Sequence, residues 1–364
     1  MKRSNSVAVF SAYPMLVLLL PLVAAILLFM DRPPRYTPRP QPNAIQSRLY
    51  HRLGKAGLTE DELATVGALT LGYKEDLNKE LKHHFQASGA AHVLAVSGLH
   101  TGILYGIVLW LLTLGGRFKP RYENRFGRWT ISLIIIAVMW AYAWLTGMTP
   151  SVVRAVIMVT MVEIAKMAYR DPISINSIAA AAVFILIFRP TDLWSVSFQL
   201  SFAATTAIVL MADALGTAIH YDHLRAKLWG KILNWIIGIL VVSLAAQLGT
   251  LPITIYYFHQ LSSYFLLTNL IVLPLATLLV PLGMLTIALG GSAVGVLVGK
   301  GTYGVAWLMN HSVEWIENLP GCTIPAHANG YMVAVYYLLL LLFYFLVLRK
   351  SDKSNATFAY LKKK

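Results

Sequence analysis

Long apolar runs separated by short polar breaks set the rhythm of this chain. They occupy residues 7–30, 92–112, 129–147, 151–169, 173–190, 194–212, 232–257, 264–289, 293–313 and 331–348. About 20 apolar residues in a helix cross the hydrocarbon of a bilayer. The pattern therefore predicts an all-α polytopic membrane protein with about ten transmembrane helices. The first run, 1–30 with its flank, is read as a helix and not a cleaved leader, because Asp31-Arg32-Pro33-Pro34 follows it in place of a small-residue cleavage site. Residues 31–46 are rich in Pro and Arg and predict an extended linker. Residues 47–91 return to ordinary soluble composition. Thr59 is placed as an N-cap with Glu62 closing a capping box, Ala64, Ala68 and Leu71 form an apolar face, and Gly72 ends the helix. A second short helix is expected from about Lys74 to Gln86, completing a short amphipathic helical segment outside the membrane.

The stretch Ala91 to Gly102 breaks the apolar rhythm. It carries His92, Ser97, His100 and Thr101 at the head of the second apolar run. Gly98, Gly102 and Gly106 recur every fourth residue and form a ridge suited to close helix packing. At about 100° per residue, Ser97, His100, Thr101 and Leu104 fall on the other side. The expectation is that the glycine face packs while the polar face lines a path.

Composition fixes the class more firmly than any motif. Of 364 residues, 57% are hydrophobic and 13% charged, against about a quarter charged in soluble domains. The net charge of +14 has an ordinary source in this class, because Lys and Arg collect on the cytoplasmic side. Arg117, Lys119, Arg121, Arg125 and Arg128 share one short loop, and Arg225, Lys227 and Lys231 share another. The tail 349–364 is also basic. Ten spans with both termini cytoplasmic place all three clusters inside. The single cysteine, Cys322, excludes an internal disulfide framework.

Other polar groups fall within the spans. Arg154 stands in the first turn after Thr149-Pro150-Ser151, where snorkelling to the interface and a cavity-facing role are both open. Glu163 and Lys166 are expected to pair at the inner end. Gln199 with Thr206, Gln247 and Asn269 are candidates for a polar path or for interhelical hydrogen bonding. Pro252, Pro274 and Pro281 suggest broken helices that expose backbone. His220-Tyr221-Asp222-His223 is read as a cytoplasmic loop and not a metal site.

Several segments in order resemble the ComEC family of competence proteins. They are Ala68-Leu69-Thr70-Leu71-Gly72, His92 through His100, Gly147 through Ala155, Ser197 through Phe202, and Asn269-Leu270 with Pro274. The resemblance implies a competence-type channel domain over 47–348, divided into 47–91 and a bundle at 92–348. It also implies passage of single-stranded DNA across the bacterial inner membrane during natural transformation. Ser97, His100, Thr101, Arg154, Gln199, Gln247 and Asn269 are the path candidates. The chain is read as a short form without the family's N-terminal β domain or C-terminal metallo-β-lactamase-like domain. Other competence components, including a separate DNA-binding β domain or nuclease, are the expected partners beside DNA and lipid, and a homo-oligomer is left open. No catalytic residue, metal or cofactor is expected. The basic stretch Arg32 to Lys55 either meets phosphates or is a solvated linker. The alternatives are a small-solute transporter, a non-functional truncated paralogue, and an intramembrane hydrolase using Ser97 and His100. The hydrolase would need a base placed across from its nucleophile and an oxyanion site.

Overall fold

The computed structural model describes residues 14–29, 42–94, 98–113, 124–170, 175–218 and 228–344. It is all-α apart from one two-stranded ribbon. Its helices are α1 (Pro14–Phe29), α2 (Ala44–Lys55), α3 (Glu60–Leu71), α4 (Lys79–Ala87), α5 (Gly98–Thr113), α6 (Arg125–Leu145), α7 (Pro150–Met167), α8 (Ile175–Phe188), α9 (Val196–Ala218), α10 (Leu228–Phe258), α11 (Phe265–Leu289), α12 (Ala293–Glu317) and α13 (Gly330–Phe343). A 3-10 turn, Pro190–Trp194, joins α8 to α9. Strand β1 (Gln260–Ser262) pairs antiparallel with β2 (Thr323–Pro325).

Each predicted apolar run has a helix in it, but length and composition qualify fewer of them as spans. Four helices are long and apolar enough to cross a membrane, within Arg125–Leu145, Val196–Gly216, Trp229–Phe258 and Phe265–Leu289. Shorter apolar helices lie at Leu18–Leu27, Gly98–Thr113, Ile175–Phe188 and Gly330–Phe343. The ten-span expectation is thus reduced to a membrane protein with four such helices among the described residues. In α7 the shortfall has a visible cause, since Arg154, Glu163 and Lys166 sit in one 18-residue helix. The proline expectation is corrected too. Pro252 lies inside a continuous α10, and Pro274 and Pro281 inside a continuous α11.

The segment of soluble composition holds the centre of the fold. Every residue of α3 from Ala64 to Leu71 is buried, not only the expected stripe. The helix packs against α11 and α12, and a glycine on α11 admits it. A Cβ at Gly283 would meet Thr70 Cγ2 at 2.6 Å, and one at Gly299 of α12 would collide with the carbonyl oxygen of Ala56, the residue that ends α2. Thr65 donates to Asn310 Oδ1 at 2.9 Å, and Tyr142 on α6 donates to the Thr70 carbonyl at 3.3 Å.

Helix ends explain how the segment turns. Thr59 occupies the N-cap of α3 with extended backbone, yet its side chain makes no cap bond. The capping box forms one helix earlier, between Asn43 and Gln46. Gly72 ends α3 at φ 71°, in the left-handed region that glycine enters without strain. The following helix begins at Lys79, later than the pattern suggested. Tyr50 of α2 stacks on Tyr73 at 4.2 Å between ring centres. Burial, with Asp76 beside it, pushes the Tyr50 phenol above its ordinary range.

Around this centre, α6 and α7 pair and receive α5, α8 lies between α1 and α7, and α9 pairs with α10. α13 attaches to α10 through Tyr336 and Tyr337, whose hydroxyls donate to the Leu248 and Gly249 carbonyls at 2.9 and 2.8 Å.

Candidate functional site

The polar groups at the head of α5 lie inside the protein. His100 and Thr101 are fully buried. Leu104, Tyr105, Val108 and Leu112 continue the same face onto the core formed by α6 and α7. Gly98, Gly102 and Gly106 are exposed, and a Cβ on any of them would meet no atom within 4 Å. The division of the helix into two faces is present, but its assignment is reversed. Among the described residues the glycine ridge packs on nothing, and the face expected to line a path is the one that packs. The reason is local: Leu104, Tyr105 and Leu112 supply the bulk that fits the α6–α7 surface, and glycines supply none. Ser97 lies outside the described residues, as do the motif 220–223, the tail 349–364 and most of the linker and of the first basic loop.

A second cluster forms where α7 meets the end of α8 and the start of α9. Thr149 precedes α7 and Pro150 opens it. One turn on, Arg154 is only 2% exposed, so it does not snorkel. Its Nη2 donates to Ser197 Oγ at 2.5 Å. Its Nε and Nη1 are buried without a hydrogen-bond partner among the described residues. Arg154 lines a cavity of about 250 Å³ with Pro150, Val153, Ile157, Phe184, Ile185, Phe188, Arg189 and Asp192. Gln199 turns away from any path and donates from Nε2 to the Leu193 carbonyl at 3.0 Å, securing the 3-10 turn.

The third cluster ties three helices together. Glu163 of α7 is fully buried. It accepts from Lys166 Nζ at 2.8 Å, from Ser132 of α6 at 2.6 Å and from Tyr105 of α5 at 2.8 Å. The Lys166 ammonium also donates to Tyr105. The expected Glu163–Lys166 pair is present. Ser132 and Tyr105 carried no signal, because each sits alone in an apolar run and its partner lies on another helix.

The remaining candidates lie apart from these. Asn269 opens α11 beside Thr268, which donates to the Ser88 carbonyl at 2.7 Å. Asn269 Oδ1 is buried without a hydrogen-bond partner among the described residues, and Gln247 is half-buried on α10. Sequence reasoning passed over Asn310, now the partner of Thr65, and Glu317, whose carboxylate meets His83 and His84. Among the described residues no group of three or more His, Cys, Asp or Glu side chains is placed to hold a metal. A basic stripe was legible only as composition: Arg48, His51, Arg52 and Lys55 share the exposed face of α2, opposite buried Gln46, Tyr50 and Leu53.

Comparison with known proteins agrees with the order of motifs. ComE operon protein 3 of Bacillus subtilis is 28% identical over 267 residues, which is 72% of this chain and 30% of that protein. Recombination protein 2 of Haemophilus influenzae is 26% identical over 227 residues, 62% of this chain and 28% of that protein. An uncharacterised Escherichia coli protein, YcaI, is 28% identical over 223 residues, 60% of this chain and 28% of its own length. The chain thus spans less than a third of the length of these curated relatives. No solved structure matches. The family model described as "Competence protein" matches residues 69–351, well over half of the sequence. The chain belongs to the competence protein family.

Proposed function

We propose that this membrane protein is a channel component for uptake of single-stranded DNA across the bacterial inner membrane. The observation that carries the proposal is the basic stripe of α2. Arg48, His51, Arg52 and Lys55 are exposed on one face, while the opposite face is anchored by Tyr50 and Leu53 to the central core. A carboxylate-free cationic strip on a rigid base is what attracts a single-stranded polyanion.

Contacts among loops support the alternating topology. The segments expected on one side of the membrane touch one another: Asn43 Nδ2 donates to the Trp144 carbonyl at 3.3 Å, Cys322 Sγ to the Ala87 carbonyl at 3.3 Å, and β1 pairs with β2. In this reading those loops face outward, both termini are cytoplasmic, and the shorter helices also cross. The reading assigns the chain no catalytic step and gives the remaining competence machinery the role of delivering or cutting DNA.

The test is binding of a labelled oligo-dT to the reconstituted full chain over a range of salt. Replacing Arg48, Arg52 and Lys55 together by Gln should weaken binding. It should also reduce the slope of log K against log salt by about 2, at about 0.7 per phosphate contact on a single strand. An unchanged slope and affinity would remove the stripe from the path.

A further inference from the structure

We infer that the Arg154 cavity holds the headgroup of a phospholipid carrying both a phosphate and a primary ammonium. Three observations converge. First, a guanidinium that is 2% exposed keeps two nitrogens, Nε and Nη1, whose N–H groups find no acceptor among the described residues. Buried donors in this condition are costly and call for an acceptor in the working molecule. Ser197 satisfies only Nη2. Second, the same cavity is lined by Asp192, and no hydrogen bond or ion pair joins its carboxylate to Arg154 among the described residues. The Asp192 N–H donates to the Arg189 carbonyl at 3.0 Å, so Arg189 and Asp192 extend from one tight turn at this site. Positive and negative groups therefore face one space of about 250 Å³. Third, the other walls are apolar, and Phe188 is 71% exposed, so the cavity opens onto the apolar outer surface of α8.

The position is that of a headgroup. Arg154 is in the first turn of α7 and Phe188 is the last residue of α8, so the cavity lies at the ends of two helices and not at mid-depth. A phosphodiester oxygen accepts from Arg154 Nε and Nη1 in the bidentate manner guanidinium favours. The ammonium of the same headgroup donates to Asp192. The glycerol and first methylenes lie along Val153, Ile157 and Phe184. A DNA strand fits less well, because its backbone offers no ammonium to Asp192 and so leaves that carboxylate beside phosphate. Apolar walls open to the hydrocarbon also offer its bases and sugars no water. This assignment is independent of the transport reading.

Native mass spectrometry of the full chain in detergent tests it. The probes are phosphatidylethanolamine, phosphatidylglycerol and phosphatidylcholine with identical acyl chains. Wild-type protein should retain phosphatidylethanolamine about tenfold more than the other two, since only it offers ammonium N–H donors to a carboxylate. Asp192→Asn should lose that preference while still retaining phospholipid. Arg154→Gln should retain none above background. If Arg154→Gln fails to fold, Asp192→Asn decides alone, because its side chain is half-exposed and outside the helices. Equal retention of the three lipids by wild-type protein would overturn the assignment, as would a preference that survives Asp192→Asn. Displacement of the lipid by oligo-dT would also overturn it and place DNA in the cavity.

Discussion

Helices α3 and α5 are both short, and they answer oppositely to the question of what a membrane protein buries. α3 opens with three acidic residues and then mixes Thr, Gly and Ala with Val and Leu, yet it is enclosed along its whole second half. α5 is far more apolar, yet only His100 and Thr101 are buried, and Trp110 is 62% exposed. In water the apolar helix would be driven inside. In lipid that drive vanishes between helices, and packing with hydrogen bonding selects the interior. Small and hydroxyl-bearing side chains therefore mark the centre here, and large apolar ones mark the boundary.

The largest expected effect comes from the Glu163 cluster that ties α5 to α6 and α7. Glu163→Ala leaves the half-buried Lys166 without its carboxylate and removes the acceptor of Tyr105 and Ser132 in the interior. Breaking a buried pair in this way costs about 3–5 kcal/mol, so thermal unfolding in detergent should move down steeply. A wild-type melting curve would show that α5 is held by packing alone.

Next is the close seat that α12 makes for the end of α2, just ahead of α3. Gly299→Ala drives a methyl into the Ala56 carbonyl, which is backbone and cannot swing aside. The expected loss is about 3 kcal/mol, at the upper end for overpacking, again read by thermal unfolding. The counterpart in α5 sharpens the contrast. Gly102→Ala meets nothing within 4 Å, so its melting curve should stay within about 1 kcal/mol of wild type, and upward if helix propensity acts. A large loss at Gly102 would mean that the ridge is covered by another chain.

This reversal shows where sequence stops informing. Gly72 and Thr149-Pro150 marked helix ends because caps are decided within a few residues. The Glu163–Lys166 pair was legible for the same reason, being three residues apart on one helix. The wheel of α5 also sorted its residues correctly into two faces. It could not say which face meets a neighbour, since that depends on the shapes of α6 and α7. Tyr105, Ser132 and Asn310 were missed because their partners lie on other helices. The burial of α3 was missed because a soluble-looking composition was taken to mean a water-facing segment. The basic residues of α2 were visible, but only the buried Tyr50 and Leu53 show that they form one outward strip.

The bond between Thr65 and Asn310 joins residues 245 positions apart. During synthesis, α3 leaves the ribosome long before α11 and α12 exist to enclose it. At roughly 5–20 residues per second the interval is about 10–50 s. Through that time its Thr hydroxyls and small side chains have only water or transient helpers around them, a condition a soluble-looking segment tolerates and a fully apolar one would not. The mixed composition of α3 thus suits the waiting as well as the final place. Closing this keystone is a late event, and a chain stopped before Gly299 would carry eight of the ten apolar runs with the centre still open.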